Sequence, residues 1–282
     1  MRRNTIILLL LAGSFLLTQC SKKSNTDKTK LKIGVILSLT GNGAVTGDYT
    51  LKGIQLAVNE QNAKGGLLGK QIELDIQDSK GVAATGLGII ETMFSSTTKP
   101  FMVCSNTSDV SLAVKTETEK NKVILVGSAA TDKLTEGGNY IIRNYIESGQ
   151  ISDNILEYLH DELHITSLGI FYANNEFGNS VNNKMAEKTG GYSITLPFDI
   201  GYDDKSLDYN SLIASQNTGA VPAIYVIGLG NSLGVFIKQL RAAGYAGTII
   251  ADPLFNNPGT IAAAGTAATG VKFLDFDFHK DS

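Results

Sequence analysis

Residues 31–69 read LKIGVILSLTGNGAVTGDYTLKGIQLAVNEQNAKGGLLG, and they carry the clearest indication of the fold. From Leu31 to Leu39, apolar side chains alternate with smaller or polar ones, which is typical of a β-strand. A glycine-rich turn at residues 40–47 follows, and then a helix of about four turns, which Asn62-Ala63-Lys64-Gly65-Gly66 ends. Gln71 to Gln77 form a second strand, so this part of the chain predicts a strand–helix–strand unit.

The same alternation of helices and strands continues along the chain. We predict further helices at Val82–Ser95, Ser108–Glu119, Ser152–Leu163, Asn175–Lys188, Ser206–Ser215 and Asn231–Ala243. Strands are predicted at Pro100–Cys104, Val123–Val126, Ser167–Tyr172, Tyr192–Pro197, Ala223–Ile227 and Thr248–Ala251. Short apolar strands separated by helices indicate parallel sheets with helices on both faces, which is an α/β fold.

Several short motifs follow one another in the opening segment. They are Leu39-Thr40-Gly41, Gly47, Gly53 to Val58, Asn62 to Gly66 and Gly69 to Leu74. Their order resembles the amino-terminal segment of the periplasmic branched-chain amino-acid binding proteins, the type I solute-binding proteins of ABC importers. That family has a strand ending in Leu-Thr-Gly, a further glycine, a helix ending in N-A-x-G-G and the step G-[KR]-x-I-E-L.

The resemblance implies two Rossmann-like, doubly wound parallel-sheet lobes joined by a hinge. Lobe I is expected at residues 31–147 and lobe II at residues 148–270, with the first crossing between them from Tyr140 to Ser148. Gly270-Val271-Lys272-Phe273 resembles the segment that returns the chain toward lobe I, so residues 271–282 are expected to be a return crossover and a truncated tail. Members of the family continue further, and we therefore expect a product shortened at its carboxyl terminus.

The amino terminus predicts export from the cytoplasm. Residues 1–19 have the form of a signal peptide, with a basic start and an apolar run that is too short to span a membrane. The tetrapeptide LTQC resembles a bacterial lipobox, in which Cys20 is lipidated, although Gln19 replaces the usual small residue. Residues 20–30 are polar and predict a flexible tether. We expect a lipid-anchored protein on the periplasmic face of a bacterial membrane; the alternative is a soluble periplasmic protein.

The composition argues against several other classes of protein. A net charge of −3 with 18% charged residues leaves no basic stripe for nucleic acid, and a hydrophobic share of 43% is ample for one or two cores. If Cys20 is lipidated, Cys104 has no cysteine partner, and we expect it to be a small buried hydrophobe. We expect no cofactor, and the sequence has no Cys-x-x-Cys, serine elbow or kinase motif that would indicate an enzyme.

Polar side chains follow the third predicted strand, and ligands gather at such strand ends in a doubly wound sheet. Ser105-Asn106-Thr107-Ser108 leads into a helix there, and its hydroxyl and amide groups suit an anion. The resemblance assigns the ligand's carboxylate to Ser108, with Thr107 beside it. The alternative is that Ser108 only caps the helix.

The other candidate binding residues come from the resemblance. Gly127-Ser128-Ala129-Ala130-Thr131 matches the family's S-[PA]-x-A-T loop, in which the carbonyl at Ala129 takes the ligand's ammonium and Thr131 contacts its carboxylate and ammonium. Asn174 to Gly178 matches the step D-x-x-Y-G, whose aromatic ring closes over the ligand, so Phe177 supplies the ring without the hydroxyl. Glu147 stands where the family has an aspartate near the hinge, or is a solvated acid at the start of a helix.

These features predict a solute-binding lipoprotein that is not an enzyme. Its lobes would close by a hinge on a small polar ligand and deliver it to an inner-membrane ABC permease. The family's lobe II carboxylate for the ligand's ammonium has its nearest counterpart in Asp252, which is displaced along the chain. We therefore expect an amino acid or a related carboxylate or amide as the ligand.

One alternative is a nucleotide-dependent enzyme built on the glycine-rich turn. Gly41, Gly43 and Gly47 could place backbone N–H groups against a pyrophosphate, and Asp75 or Asp78 could hold a ribose. The spacing is G-x-G-x-x-x-G instead of G-x-G-x-x-G, so the match to a dinucleotide-binding loop is weak.

Two further alternatives stay open. His160 and His164 are spaced as on one helix face but lack the H-E-x-x-H pattern, so a solvated helix end is favoured over a metal site. The chain could also be a ligand sensor, or the remnant of a truncated binding-protein gene, without a role in transport.

Overall fold

The computed structural model describes residues 30–275. The predicted signal peptide, the lipidation site at Cys20 and most of the predicted tether precede the described residues, and residues 276–282 follow them. Predictions for those two segments therefore stay predictions. Among the helices of residues 30–275, none combines the length and the apolar character that crossing a membrane requires.

The first sheet has the strand order β2-β1-β3-β4-β5, and all its neighbouring strands are parallel. Its strands are β1 (Leu31–Leu37), β2 (Ile72–Asp78), β3 (Met102–Asn106), β4 (Ile124–Ser128) and β5 (Ile141–Arg143). The α-helices that connect them are α1 (Ala44–Ala63), α2 (Ala83–Ser95) and α3 (Ser108–Asn121). We call this sheet with its helices lobe I.

The second sheet has the order β10-β9-β8-β6-β7 and is also parallel throughout. Its strands are β6 (Ser167–Ala173), β7 (Thr195–Tyr202), β8 (Ala223–Ile227), β9 (Thr248–Ala251) and β10 (Lys272–Phe273). The helices of this half, which we call lobe II, are α4 (Ser148–Glu157), α5 (Glu176–Lys188), α6 (Asn210–Ala214), α7 (Gly230–Ala242) and α8 (Pro258–Ala264). Two doubly wound sheets confirm the predicted two-lobe α/β fold.

Helices pack on both faces of each sheet, because side chains alternate along a strand and both faces of a central strand are apolar. In lobe I, Val35 packs in a cluster with residues of α1, and Ile36 packs with residues of α2 and α3. In lobe II, Ile170 packs with residues of α4 and α5, whereas Phe171 packs with residues of α6 and α7. Cys104 is buried, as predicted, and burial raises the pKa of its thiol to about 11.

Several element boundaries differ from the predictions. The segment predicted as the crossing from Tyr140 to Ser148 contains strand β5, and α4 begins at Ser148, the predicted border of lobe II. Strand β7 continues to Tyr202 instead of ending at Pro197. Lobe II also extends beyond Gly270, its predicted end, because β10 pairs with β9 and the Phe273 ring lies 5.6 Å from the Phe255 ring.

Candidate ligand-binding cleft

A cavity of about 890 Å³ lies between the lobes, at the carboxyl ends of both sheets. On the lobe I side it is lined by Ser38 after β1, by Asn106 at the end of β3 and by Ser128 at the end of β4. On the lobe II side the lining residues that follow strands are Asn175, Asp204, Leu229 and Leu254. Loops and helix amino termini meet at this edge of a parallel sheet, so the cavity occupies the expected place for a ligand.

Four of the six predicted binding residues line this cleft: Thr107, Ser108, Ala129 and Phe177. Ser108 is the first residue of α3 and only 1% exposed, and its Oγ accepts a hydrogen bond from the Thr131 N–H at 3.4 Å. Phe177 is the second residue of α5, and its ring belongs to the lobe II core. The structure therefore brings together polar groups of lobe I and an aromatic ring of lobe II.

Thr107 has a strained backbone at the wall of the cleft. Its φ is 65° and its ψ is 144°, a conformation that a β-branched residue rarely adopts. Such strain costs on the order of 1–3 kcal/mol and is found at ligand clamps. Its hydroxyl is buried and has no hydrogen-bond partner among residues 30–275. The sequence drew attention to Thr107 only as the neighbour of Ser108.

Thr131 and Glu147 do not line the cleft. The Thr131 hydroxyl is fully buried and donates to Glu176 Oε1 at 2.8 Å, so its bond crosses from lobe I to lobe II. Glu147 lies 3.2 Å from Arg143 Nε, and its side chain is half exposed. The resemblance implies that these two residues contact the ligand. In this structure their side chains contact other protein residues instead.

The Ala129 carbonyl, expected to take the ligand's ammonium, also has a protein partner. Arg143 Nη1 donates to it at 2.7 Å and to the Thr131 carbonyl at 2.9 Å. The Arg143 side chain is buried at the end of β5, a strand that the sequence did not predict. A positive charge is thus already present where the resemblance places a ligand cation.

Asp252 is buried beneath the cleft instead of lining it. Its Oδ1 accepts from the Tyr225 hydroxyl and its Oδ2 from the Gly228 N–H, both at 2.6 Å. Burial raises the pKa of this carboxyl to about 7, against the opposing effect of the two hydrogen bonds. The displacement seen in the sequence therefore leaves Asp252 as a support for the loop after β8.

Two other acids line the cleft, and the sequence analysis missed both. Asp109 follows Ser108 in α3, and Asp204 follows β7. Burial raises the pKa of Asp109, the Glu176 N–H bond to it works in the opposite direction, and the charges of Glu176 and Asp204 raise it further. Because Asp204 lies in the other lobe, only the folded arrangement brings its charge near Asp109.

The lobes touch at both sides of the cavity. Asn42 Nδ2 donates to the Asp204 carbonyl at 2.6 Å, and a Cβ on Gly230 would lie 2.2 Å from the Asn42 carbonyl oxygen. On the other side, Glu176 accepts from Thr131 and lies 3.1 Å from Lys133 Nζ. The structure is therefore a closed form with direct contacts between the lobes.

Asp78, one of the two acids considered for a ribose, stabilises the glycine-rich turn itself. Asp78 accepts hydrogen bonds from the N–H groups of Leu39 and Lys80 and from the Thr40 hydroxyl. Gly47 is needed because a Cβ there would lie 1.9 Å from the Ser38 carbonyl oxygen. The packing of the turn therefore explains Gly47 without a nucleotide.

The two histidines are exposed and lie beyond α4, His160 in the π-helical turn Tyr158–Glu162 and His164 just after it. His160 Nδ1 is 2.6 Å from Asp161, and His164 Nδ1 is 3.1 Å from the His160 carbonyl. Within residues 30–275, no group of three or more His, Cys, Asp and Glu side chains is arranged to hold a metal ion.

Fold and cleft together define a two-lobed ligand-binding protein, and comparison with known proteins agrees. The model of the periplasmic binding protein family matches residues 30–282, so the chain belongs to that family. It is 28% identical to the Leu/Ile/Val-binding protein BraC3 of Rhizobium johnstonii, covering 85% of this chain and 67% of that protein. It is 25% identical to Leu/Ile/Val-binding protein homolog 3 of Brucella melitensis, covering 87% and 67%.

A solved structure shows the same architecture. The branched-chain amino acid transporter substrate-binding protein LivJ of Streptococcus pneumoniae, in complex with isoleucine, superimposes with a TM-score of 0.78 at 25% identity. The match covers 86% of this chain and 70% of LivJ. The chain thus spans about two thirds of the length of the curated relatives named above.

Proposed function

We propose that this protein is the extracytoplasmic binding component of an ABC importer and captures a small amino acid or related carboxylate between its lobes. The observation that carries the proposal is the cleft between the carboxyl ends of two doubly wound sheets, lined by the amino terminus of α3. The names of the similar proteins, which are Leu/Ile/Val-binding or bind isoleucine, support the same class of ligand.

The ligand's carboxylate is proposed to bind at the start of α3. The first N–H groups of a helix have no partner within the helix, and the helix dipole favours an anion there. Thr107 makes no side-chain cap that would occupy these N–H groups, and the Ser108 hydroxyl lies in the same wall. Each charge-assisted hydrogen bond contributes about 1.5–3 kcal/mol.

The ligand's ammonium is proposed to lie between Asp109 and Asp204. Both line the cavity, and the charge of Asp204 raises the pKa of Asp109, an effect that a cation between the two carboxylates would relieve. This assignment replaces the one suggested by the resemblance, because Asp252 is buried and the Ala129 carbonyl bonds to Arg143.

Export, lipidation at Cys20 and hand-over to an inner-membrane permease complete the proposal. Lobe borders near Glu147 and Ser148 would let the chain bend between the lobes, and a ligand would favour closure by binding the closed state more tightly.

Incorporation of labelled fatty acid into the full chain, and its loss in Cys20→Ala, tests the lipid anchor. Equal recovery of both proteins in the soluble periplasmic fraction would contradict it.

A thermal-shift screen of amino acids, amides and aromatic acids, followed by calorimetry, tests the binding function. At least one compound should raise the melting temperature, and Ser108→Ala should weaken its binding by about 1–3 kcal/mol because a hydroxyl is lost in a desolvated cleft. Ser95→Ala, a substitution of the same kind on an exposed helix end, is the control and should leave the affinity unchanged. If Ser108→Ala and Ser95→Ala bind the compound with equal affinity, the ligand does not bind at the start of α3.

A further inference from the structure

Asn106, at the end of β3, has a buried side chain that faces the cleft with one end and the protein with the other. The residue is 4% exposed and lines the cavity. Its Oδ1 accepts a hydrogen bond from the Ser38 N–H, at the end of β1, at 2.8 Å. The side chain is therefore held in one orientation by the neighbouring strand.

The Ser38 bond decides which end of the amide faces the cavity. A backbone N–H can only donate, so the amide oxygen must point to Ser38 and the Nδ2 group must point away from it. Among residues 30–275, Nδ2 has no hydrogen-bond partner. Two N–H donors of a buried amide are thus left for whatever occupies the cleft.

Asn106 and Ser108 are anchored by different parts of lobe I. Strand β3 lies between β1 and β4 in the sheet. Asn106 bonds toward β1 through Ser38, whereas Ser108 bonds toward β4 through the Thr131 N–H. The two side chains are therefore held by different neighbouring strands of the sheet.

We propose that Asn106 is a specificity-determining residue that binds a hydrogen-bond acceptor in the body of the ligand, apart from its carboxylate. The inference rests on the proposed binding function and narrows its ligand class. An aliphatic side chain at this position would bury the Nδ2 donors without a partner, which is unfavourable. The favoured ligand is therefore an amino acid or carboxylic acid that carries a hydroxyl, amide or other oxygen in its side chain.

Calorimetry with matched ligand pairs tests the proposal. Threonine with valine, and asparagine with leucine, are pairs of similar size that differ in an oxygen. In the wild-type protein, the oxygenated member of at least one pair should bind about tenfold or more tightly than its apolar partner, because a site that hydrogen-bonds a ligand rejects an analogue lacking that group.

The variant Asn106→Asp tests whether the preference for the oxygenated ligand depends on Asn106. It keeps an acceptor for the Ser38 N–H but puts a carboxylate oxygen in place of the donor, so the preference for the oxygenated member should be lost. Asn217→Asp, on an exposed loop of lobe II, makes the same change of charge and should keep the preference.

Each result decides the matter. Equal or tighter binding of the apolar members by the wild type would overturn the inference while leaving the binding function intact, and so would an unchanged preference in a folded Asn106→Asp. If Asn106→Asp does not fold, the wild-type pairs still give the answer. Failure of every compound, including the full screen, would overturn the proposed function and this inference together.

Discussion

At the scale of single residues, Asp252 shows how a buried acid links stability to pH. Its carboxyl lies in the core of lobe II with a pKa raised to about 7 by burial, whereas the unfolded chain has the ordinary value of 3.8. Between these two values the folded state holds a proton that the unfolded state has lost. The contribution of this carboxyl to the free energy of unfolding is therefore fully present below its pKa in the unfolded chain. It is lost as the pH rises through about 7.

The prediction is that the wild type becomes less stable from pH 5 to pH 8 and that Asp252→Asn flattens this dependence. Each pKa unit corresponds to about 1.4 kcal/mol, so the loss amounts to a few kcal/mol. Asparagine keeps an oxygen for the Gly228 N–H and does not titrate, which preserves one of the two bonds. Urea unfolding at several pH values measures the effect, and equal slopes for both proteins would contradict it.

At the scale of elements, two glycines of α2 have opposite packing roles. A Cβ on Gly86 would lie 2.9 Å from Val110 Cγ1 of α3, so the small residue permits the close approach of these helices. A Cβ on Gly88 would meet nothing within 4 Å. Glycine in a helix interior is unfavourable by about 0.5–1 kcal/mol relative to alanine, and at Gly88 no contact compensates for it.

We therefore expect Gly88→Ala to stabilise the protein by about 0.5–1 kcal/mol, measured by urea unfolding. Gly86→Ala is the matched control and should not stabilise it, because the added methyl group meets Val110. A similar gain from both substitutions would mean that α2 and α3 are less closely packed than described.

The accuracy of the predicted bounds differed from strand to strand. Strands β8 and β9 have the bounds predicted for them, since each is a short apolar run between turns that contain glycine or proline. Strand β5 was missed because it has only three residues, and its Ile142 is half exposed at the sheet edge. Because β7 was predicted to end too early, Asp204 was not expected at a strand end. In the structure it follows β7 and lines the cleft.

At the scale of the whole molecule, Glu176 fastens the lobes together without lining the cavity. It accepts from the Thr131 hydroxyl, lies 3.1 Å from Lys133 Nζ and donates its N–H to Asp109 at 3.2 Å. All three partners belong to lobe I. Part of the free energy of closure therefore comes from protein contacts, and a ligand need supply only the remainder.

We predict that Glu176→Ala opens the ligand-free protein, which small-angle scattering detects as a larger radius of gyration. Loss of about 1.4 kcal/mol would shift the ratio of closed to open molecules tenfold. Glu91→Ala removes an exposed carboxylate from α2 and should leave the scattering unchanged. Identical curves for both variants would show that Glu176 does not hold the lobes closed.

The sequence by itself determined the α/β class, the family and the strand ends at which the cleft lies. These depend on local periodicity and on motifs that neighbouring residues form, such as the polar run through Thr107 and Ser108 after β3. Only the tertiary structure decided which polar groups remain available to a ligand. Thr131 and Asp252 bond to protein partners, whereas Asn106 keeps free donors, because hydrogen bonding depends on distances between segments that are remote in the chain.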